Sequence, residues 1–276
     1  MSNLLKRSIT GSIFVVVLIS AIYLNQMSCL ILFGILTTLG LWEFYRLSLK
    51  TGAFPQRVLG TFSGTCLFLL LGSIHYSFLD KKYLFIILPL IFLVFCLELY
   101  RKKENPFTNI AFTLMGIIYI AFPFSCLIFF SSFDSAEWLN KYNPSVLMGY
   151  FFLLWANDTG AYLFGRQFGK TKLFERVSPN KTWEGAIGGG VFSLTIAWVI
   201  SNYFQLLTFQ QWIGVSIIVV VFGNLGDLTE SLFKRSINVK DSGNILPGHG
   251  GILDRFDGVF ISAPLVYVFL NIIKLI

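Results

Sequence analysis

The sequence contains few charged residues and no long polar stretch. Charged residues make up 13% of the 276 residues, apolar residues make up 55%, and the mean hydropathy is +0.72. Soluble domains contain about a quarter charged residues, so this scarcity of charge excludes an ordinary soluble protein. We expect a single integral membrane domain over residues 1–276, with an all-α, polytopic fold.

Cysteine and histidine are scarce as well, with four and two residues in the chain. Cys29, Cys66, Cys96 and Cys126 each lie singly in an apolar run, which excludes a disulfide framework and a zinc-ligand spacing. We interpret all four as small hydrophobic residues of the interior. The basic residues give a net charge of +7 but are scattered between apolar segments, so they predict membrane orientation and not nucleic-acid binding.

Nine apolar segments are long enough to span a bilayer, which takes about 20 residues, although some are marginal. They are 9–24, 27–45, 58–79, 83–99, 110–131, 145–164, 186–204, 212–233 and 259–275. Asn25 and Gln26 separate the first two, so their combined length favours a tight hairpin over one kinked helix. Lys6 and Arg7 precede the first segment as in a signal peptide, but the weak cleavage site favours an uncleaved first span.

The distribution of Lys and Arg predicts the orientation, because cytoplasmic loops collect these residues. With nine spans and a cytoplasmic N-terminus, 17 of the 21 basic residues face the cytoplasm. Lys81, Lys82, Lys141 and Lys274 remain on the other side. The C-terminus is therefore expected outside.

Polar residues concentrate in residues 145–276, whereas the helices of residues 1–144 carry no pattern from which a function can be inferred. A first cluster begins with Asn157 and Asp158 inside an apolar span, continues through Arg166, and ends in the stretch 178–185, Ser-Pro-Asn-Lys-Thr-Trp-Glu-Gly. A carboxylate at membrane depth needs a cation, a metal ion or a proton. Glycines and basic residues in the following loop match a phosphate-bearing ligand. The alternative is an ordinary basic loop that orients the protein.

A second cluster begins at the predicted cytoplasmic end of the eighth apolar segment. Asp227, Glu230, Ser231 and Lys234 have the spacing of one helix face, and Asp254 and Asp257 share a face before the ninth segment. Hard oxygen ligands favour Mg²⁺, whereas the near absence of histidine argues against zinc. In the alternative interpretation, Asp254 and Asp257 only pair with Arg255 and Lys234. Gly188–Gly190 are interpreted as helix-packing residues in preference to a phosphate cradle.

The second cluster resembles the C-terminal signature of the phosphatidate cytidylyltransferase family. The signature is a serine, Lys-Arg, a spaced Lys-Asp, and Pro-x-His-Gly-Gly-x-x-Asp-Arg-x-Asp. It matches here at Ser231, Lys234-Arg235, Lys240-Asp241, Pro247, His249-Gly250-Gly251, Asp254-Arg255 and Asp257. All 27 positions from 231 to 257 agree with it, and the elements 157–158 and 178–185 also look like that family. The N-terminal half has no residue that we can match.

The resemblance implies transfer of the cytidylyl group from CTP to phosphatidic acid, which gives CDP-diacylglycerol and pyrophosphate. It also implies Mg²⁺ at the site, and whether a second cation takes part is left open. It places metal-binding aspartates at Asp227 and Asp254, and we add Glu230 as a third ligand. The expected catalytic residues are Asp227, Asp254, Lys234, Arg255 and Asp257. The expected substrate-binding residues are Asn157, Asp158, Arg166, Ser178, Asn180, Lys181, Glu184, Ser231, Arg235, Lys240, His249, Gly250 and Gly251. For His249 we favour positioning over proton transfer.

Two other functional classes are weighed against this interpretation. An ion-coupled transporter would show two matching Gly- or Pro-interrupted halves, and the chain has no such repeat. A CDP-alcohol phosphotransferase would contain Asp-Gly-x-x-Ala-Arg, which is absent, whereas a CTP-dependent lipid kinase differs in releasing CDP. The compact chain resembles the bacterial type, so we expect the bacterial cytoplasmic membrane with the site facing the cytoplasm. The oligomeric state is open, and a homodimer is one option.

Overall fold

The structure is a computed structural model that describes residues 3–132, 142–245 and 250–275, without the side chains of residues 3–8, 274 and 275. Its helices are α1 (Asn3–Leu24), α2 (Gln26–Ser48), α3 (Arg57–His75), α4 (Ile87–Glu98), α5 (Pro106–Gly116), α6 (Phe122–Phe130), α7 (Ser145–Phe168), α8 (Trp183–Ser201), α9 (Phe209–Ser236) and α10 (Leu253–Leu275). A π-helical segment, Ile117–Ala121, joins α5 to α6, and 3₁₀ segments lie at Leu49–Thr51 and Lys81–Ile86.

Six helical stretches within the described residues are long and apolar enough to cross a membrane. They are Gln26–Thr51, Arg57–His75, Pro106–Phe130, Trp183–Ser201, Phe209–Ser236 and Leu253–Ile273. The predicted all-α polytopic membrane protein is therefore confirmed at this level. The other three predicted segments also lie on helices: α1 is apolar over the part whose side chains are described, Ile9–Leu24, α4 has 12 residues, and α7 is polar in its second half. The count of nine spans and the orientation of the termini stay predictions.

The predicted break between the first two segments lies at Asn25. This residue has an extended backbone, and its side chain accepts hydrogen bonds from the N–H groups of Met27 and Ser28, both at 2.9 Å. Ser28 completes a capping box by accepting from the N–H of Asn25. α1 and α2 are therefore two helices, each with its own end, and not one kinked helix.

The chain packs into two compact units, each made of two stretches. Unit 1 consists of Met1–Ile128 and Ser236–Phe256, and unit 2 consists of Phe129–Arg235 and Asp257–Ile276. In unit 1, Phe256 packs edge-to-face on Phe124 with ring centroids 5.0 Å apart, which attaches the 236–256 stretch to the N-terminal helices. The second polar cluster of the sequence is thus distributed over both units.

In unit 2, α7 and α8 pack closely because glycine removes the side chain from their contact. A Cβ atom on Gly189 would lie 2.6 Å from the carbonyl oxygen of Asn157, and one on Gly188 would overlap a phenylalanine ring of α7. By contrast, the nearest atom to a Cβ on Gly190 belongs to Val220, 3.5 Å away. The predicted packing role is confirmed at Gly188 and Gly189. A Cβ atom on Gly190 would make only an ordinary van der Waals contact.

A short hairpin that the all-α prediction did not contain joins α7 to α8. Strand β1 (Lys172–Phe174) pairs antiparallel with β2 (Ser178–Thr182). The Lys172 ammonium donates to the carbonyl oxygen of Pro179 at 2.6 Å. Strands of three and five residues are too short to produce a readable alternation of polar and apolar residues.

The interpretation of all four cysteines as interior residues is wrong for one of them. Cys29 and Cys126 are buried and Cys66 is half-buried, but Cys96 in α4 is exposed. A continuous apolar run does not show which side of the helix faces the interior, because a membrane-spanning helix is apolar on all sides. The four thiols are free, as expected.

Candidate active site

A cavity of about 370 Å³ lies in unit 2 and is lined by residues of α7, β1, β2, α8 and α9. Five of its lining residues were predicted from the sequence to bind substrate or metal: Asp158, Ser178, Asn180, Lys181 and Asp227. Tyr162, Thr182 and Asn224 line it too, and the sequence analysis did not select them. The volume falls in the range of about 300–1,000 Å³ that is typical of small-ligand sites.

The α7 wall of the cavity carries the first polar pair of the sequence. Asp158 is exposed and lines the cavity, whereas its neighbour Asn157 is buried, with 1% exposure. The Oδ1 atom of Asn157 accepts no hydrogen bond from any residue that the structure describes. Arg166, one turn after Tyr162, donates to the Tyr162 hydroxyl at 3.3 Å. Asp158 therefore faces the ligand space, and Asn157 belongs to the contact of α7 with α8.

The start of α8 organises the loop that follows α7. Thr182 is the N-cap, and its hydroxyl accepts from the N–H of Gly185 at 3.2 Å. The Glu184 carboxylate accepts from the backbone N–H groups of Lys170 and Thr171, at 3.1 Å each. Glu184 was predicted to bind substrate, and in the structure its carboxylate anchors this loop.

Lys181 and Asp227 form an ion pair inside the cavity. Lys181 immediately precedes the N-cap of α8, Asp227 lies in α9, and the ammonium contacts the Asp227 Oδ2 atom. Their side chains keep 24% and 35% of their exposure, so both groups remain accessible to a ligand. The Ser231 hydroxyl, one turn further along α9, donates to Asp227 Oδ1 at 3.3 Å.

Further along α9, Glu230 pairs with Lys234 at 2.6 Å. The Glu230 side chain is 1% exposed and the Lys234 side chain 11%, so this is a buried pair. Removing one partner from such a pair leaves a buried charge and is strongly destabilising. The pair therefore gives both residues a structural role, and their predicted metal and catalytic roles stay predictions.

Asp257 in α10 brings a further carboxylate to the α9 residues. Asp158, Asp227 and Glu230 all lie near enough to exert electrostatic repulsion on its carboxylate. The Asp257 Oδ1 atom accepts the N–H of Gly258 at 2.7 Å. A Cβ on Gly226 would lie 2.5 Å from the carbonyl oxygen of Asp257, so glycine at 226 allows α9 and α10 to meet beside these acidic groups. Asp257 therefore lies among three other acidic side chains of unit 2.

The remaining predicted aspartate, Asp254, lies in unit 1 at the start of α10. Its Oδ2 atom accepts from the N–H and hydroxyl of Ser242, at 2.9 and 2.8 Å, and from the N–H of Gly251 at 2.8 Å. Gly250 has a φ of +82°, a conformation that favours glycine, and a side chain there would overlap Asp254. The predicted Gly250 and Gly251 thus shape the backbone around Asp254.

Glu43 is a carboxylate next to this loop that the sequence analysis missed. It lies in α2, is 2% exposed, and accepts from the hydroxyl of Ser242 and from the N–H of Ile252 at 2.7 Å. A lone carboxylate within an apolar run was the available signal, since ionisable groups in such runs are functional candidates by default. It was overlooked because the N-terminal half contains no motif.

Three other predicted residues, Arg235, Lys240 and Arg255, are exposed at the ends of α9 and α10 and in the loop between them. His249 lies outside the described residues. The expectation that His249 positions the substrate, and does not transfer a proton, therefore stays a prediction.

Comparison with known proteins decides the family. A family model described as the cytidylyltransferase family matches residues 5–273, which is nearly the whole chain. This chain belongs to the cytidylyltransferase family. Membership makes it a nucleotidyltransferase and confirms the resemblance that the 231–257 signature indicated.

Relatives of this cytidylyltransferase carry the name phosphatidate cytidylyltransferase. The Bacillus subtilis (strain 168) protein is 33% identical over 275 residues, which cover 98% of both chains. The Staphylococcus aureus (strain COL) protein is 43% identical over 181 residues, and the Staphylococcus haemolyticus protein 41% over 181 residues. Each of these two alignments covers 65% of this chain and 66% of the relative, which is just under two thirds.

The cavity of the cytidylyltransferase offers the donors that a hard divalent cation needs. Asp158 and Asp227 provide carboxylate oxygen on its wall. Among the described residues, no group of three or more His, Cys, Asp or Glu side chains is arranged to hold a metal ion. Mg²⁺ is usually held by only one or two carboxylates and takes its other ligands from water and substrate phosphate. The donor set therefore fits Mg²⁺.

Proposed function

We propose that this protein transfers the cytidylyl group of CTP to phosphatidic acid, giving CDP-diacylglycerol and pyrophosphate. The observation that carries the proposal is the cavity of unit 2, in which Lys181 and Asp227 face each other beside Asp158. This small-ligand site thereby combines an ammonium group that can bind phosphate oxygen with carboxylates that can bind a metal ion. The name of the Bacillus subtilis relative, phosphatidate cytidylyltransferase, which aligns over 98% of both chains, supports the same reaction.

The reaction needs charge neutralisation more than proton transfer. The phosphate of phosphatidic acid is already an anionic oxygen nucleophile. Its oxygen attacks the α-phosphorus of CTP, a new P–O bond forms, and the bond from the α-phosphorus to the β-phosphate oxygen breaks, so that pyrophosphate leaves with the electron pair. The barrier is the repulsion between two anions, and positively charged groups lower it by holding the attacking and leaving oxygens in line.

Lys181 supplies one such charge from the protein. Its ammonium is partly exposed in the cavity, where a phosphate oxygen of a bound ligand can approach it. Ser178 and Asn180 line the same cavity and add a hydroxyl and an amide that can hydrogen-bond to the nucleotide. The loop anchored by Glu184 keeps the ends of α7 and β1 in place around it.

Asp227 would hold the divalent ion, with Asp158 next to it on the cavity wall. When bound, Mg²⁺ neutralises triphosphate charge and aligns the phosphates. The resemblance of the 231–257 signature also makes Asp254, in unit 1, a candidate metal ligand. Glu230 stays a weaker candidate, because its carboxylate is paired with Lys234.

We further propose that the cavity faces the cytoplasm, where CTP is available, and that the protein resides in a bacterial cytoplasmic membrane. The excess of basic residues in the predicted cytoplasmic segments, 17 of 21, supports this orientation.

The decisive assay uses the purified protein in detergent with CTP labelled at the α-phosphate, phosphatidic acid and Mg²⁺. We expect label in the lipid product together with release of pyrophosphate. A lipid kinase that uses CTP would instead release labelled CDP and leave the lipid unlabelled, and because it phosphorylates a lipid alcohol, a parallel reaction contains diacylglycerol in place of phosphatidic acid. Label that remains in CTP under all conditions would contradict both enzymatic assignments.

A further inference from the structure

Glu43 is a buried carboxylate in an otherwise apolar part of α2. It retains only 2% of its exposure. Burying a carboxylate is costly unless hydrogen-bond donors or a counter-charge compensate. The donors that compensate for its burial lie 199 to 210 positions later in the chain.

Among the residues that the structure describes, the hydrogen-bond donors to Glu43 belong to the 236–256 stretch of unit 1. The Ser242 hydroxyl donates to Oε1, and the N–H of Ile252 donates to Oε2 at 2.7 Å, with that of Leu253 at 3.5 Å. Two separate points of the stretch, one before and one after residues 246–249, are therefore attached to a single side chain of α2.

Ser242 continues the network to Asp254. Its N–H donates to Asp254 Oδ2 at 2.9 Å, and its hydroxyl lies 2.8 Å from the same atom. The hydroxyl has one proton, so it donates to either Glu43 or Asp254 at a given moment. Arg46, one turn along α2 from Glu43, donates to the Ser242 carbonyl at 3.2 Å and holds the same residue from its other side.

The backbone passes so close to Glu43 that a side chain is excluded there. A Cβ atom on Gly251 would overlap the Glu43 carboxylate and the Ser242 hydroxyl. The N–H of Gly251 points instead to Asp254 Oδ2, at 2.8 Å. The Asp254 carboxylate is therefore held by Ser242 and Gly251, and both of these residues are in close contact with Glu43.

We propose that Glu43 is a positioning residue of the enzyme, which fixes the Asp254 carboxylate through Ser242 and through the backbone of residues 251–253. This inference rests on the proposed function, in which Asp254 is a metal ligand. Groups that orient a metal ligand typically change metal affinity or activity by about 10- to 100-fold when they are removed. Glu43 contacts neither substrate nor metal in this scheme.

A purely structural role for Glu43 is the alternative, and Glu98 provides the matched control. Glu98 is also a buried carboxylate of unit 1, with 6% exposure. It accepts hydrogen bonds from Gln56, Asn109 and Arg101, all of which lie in the N-terminal stretch. Its replacement removes a buried hydrogen-bonded carboxylate without touching the 236–256 stretch.

The experiment compares Glu43→Gln, Ser242→Ala and Glu98→Gln with the wild type, each purified in detergent. The first readout is the Mg²⁺ concentration for half-maximal cytidylyl transfer, together with the KM for CTP. We expect Glu43→Gln to raise the Mg²⁺ requirement by about 10- to 100-fold, with a smaller change in the KM for CTP. Ser242→Ala should act in the same direction, and Glu98→Gln should leave the Mg²⁺ requirement unchanged even if its Tm falls.

A second readout does not depend on activity. Hydrogen exchange of a peptide covering residues 250–256 should become faster in Glu43→Gln, because the N–H groups of Ile252 and Leu253 lose a charged acceptor, and it should stay at the wild-type rate in Glu98→Gln. If Glu43→Gln and Ser242→Ala both keep the wild-type Mg²⁺ requirement, or if Glu98→Gln raises it equally, the positioning role is overturned. If the wild type itself forms no CDP-diacylglycerol, the proposed function fails first, and the two failures are thereby distinguished.

Discussion

The ammonium of Lys181 and the carboxylate of Asp227 are in contact, although 45 residues lie between them in the sequence and they belong to different elements of unit 2. Both side chains are partly exposed, at 24% and 35%. Ion pairs with this exposure contribute about 0–1 kcal/mol to stability. The pair therefore matters little for folding, and its value lies in placing a cation and a carboxylate at the same ligand cavity.

Lys181→Ala is expected to weaken the use of CTP or phosphatidic acid while the protein stays folded. Losing a hydrogen bond to a charged group costs about 1.5–3 kcal/mol, which corresponds to a rise in KM, or a fall in kcat/KM, of about 10- to 150-fold. We expect the same direction for Arg255→Ala. Steady-state kinetics with each substrate varied in turn measures the effect. Lys50→Ala, an exposed lysine on the same predicted side, is the control. If KM and kcat/KM are unchanged in both variants, Lys181 and Arg255 contribute only to membrane orientation.

Glu184→Ala should loosen the loop between α7 and β1. The variant removes the acceptor of the Lys170 and Thr171 N–H groups. Trypsin cuts after Lys and Arg, and the loop and hairpin contain several such sites, so we expect faster cleavage there and a higher KM for CTP. Glu175→Ala, in the exposed turn of the hairpin, is the control for loss of a local negative charge. Cleavage at the wild-type rate in Glu184→Ala would contradict the anchoring role.

Much of the fold and part of the site could be predicted from the sequence, because both depend on local patterns. Apolar runs located the helices, and the polar clusters located Asp158, Lys181 and Asp227 at one cavity. In the case of Asp158, the structure adds that the side chain is exposed. Spacing along the chain could not show which residues of the first half meet the 236–256 stretch.

Glu43 is the clearest example of that limit. Its partners, Ser242 and Ile252, follow 199 and 209 positions later, and no periodicity relates such distant positions. Glu230 shows a second limit, since helical spacing placed it beside Asp227 but equally beside Lys234, with which it pairs. Spacing gives the neighbours that are geometrically allowed, and burial and competing charges decide which of them pair.

Gly189→Ala and Gly190→Ala are expected to differ in stability although they are adjacent. A Cβ at 189 would lie 2.6 Å from the Asn157 carbonyl oxygen, whereas at 190 the nearest atom is 3.5 Å away. Both changes gain the same helix propensity, so the difference reports packing alone. Overpacking costs about 1–3 kcal/mol, so thermal unfolding in detergent should show a lower Tm for Gly189→Ala and an unchanged or higher Tm for Gly190→Ala. Equal Tm values would mean that α7 and α8 are not packed as described.

A reporter fused after Ile276 should lie outside the cytoplasm, and one inserted near Arg101 should lie inside. The 17 to 4 distribution of basic residues motivates this prediction. Paired reporters that are active only on one side of the membrane, such as alkaline phosphatase and a fluorescent protein, measure it. A cytoplasmic C-terminus would show an even number of spans, and α4, with only 12 α-helical residues, would be the first candidate for a segment that does not cross.

Asp227→Asn and Asp254→Asn should each abolish cytidylyl transfer while the protein inserts into the membrane and purifies in folded form. The amide keeps the shape of the side chain and removes its charge. Asp227 is partly exposed at the cavity and shares its surroundings with Asp158 and Asp257, so losing one negative charge there relieves repulsion and is tolerated by the fold. A divalent cation, by contrast, depends on anionic oxygen from the protein.

The expected loss is mainly in kcat. The ion would neutralise charge that builds up between the attacking and leaving oxygens, and removing one group that stabilises such charge lowers kcat by about 10²–10³-fold. Turnover at saturating CTP and phosphatidic acid measures the loss, and titration with Mn²⁺ followed by electron paramagnetic resonance measures ion binding independently of activity. Asp80→Asn, in an exposed aspartate that pairs with Lys82, is the control and should keep full turnover. If either Asp227→Asn or Asp254→Asn retains near wild-type turnover at ordinary Mg²⁺ concentrations, that aspartate is not a ligand of the catalytic ion.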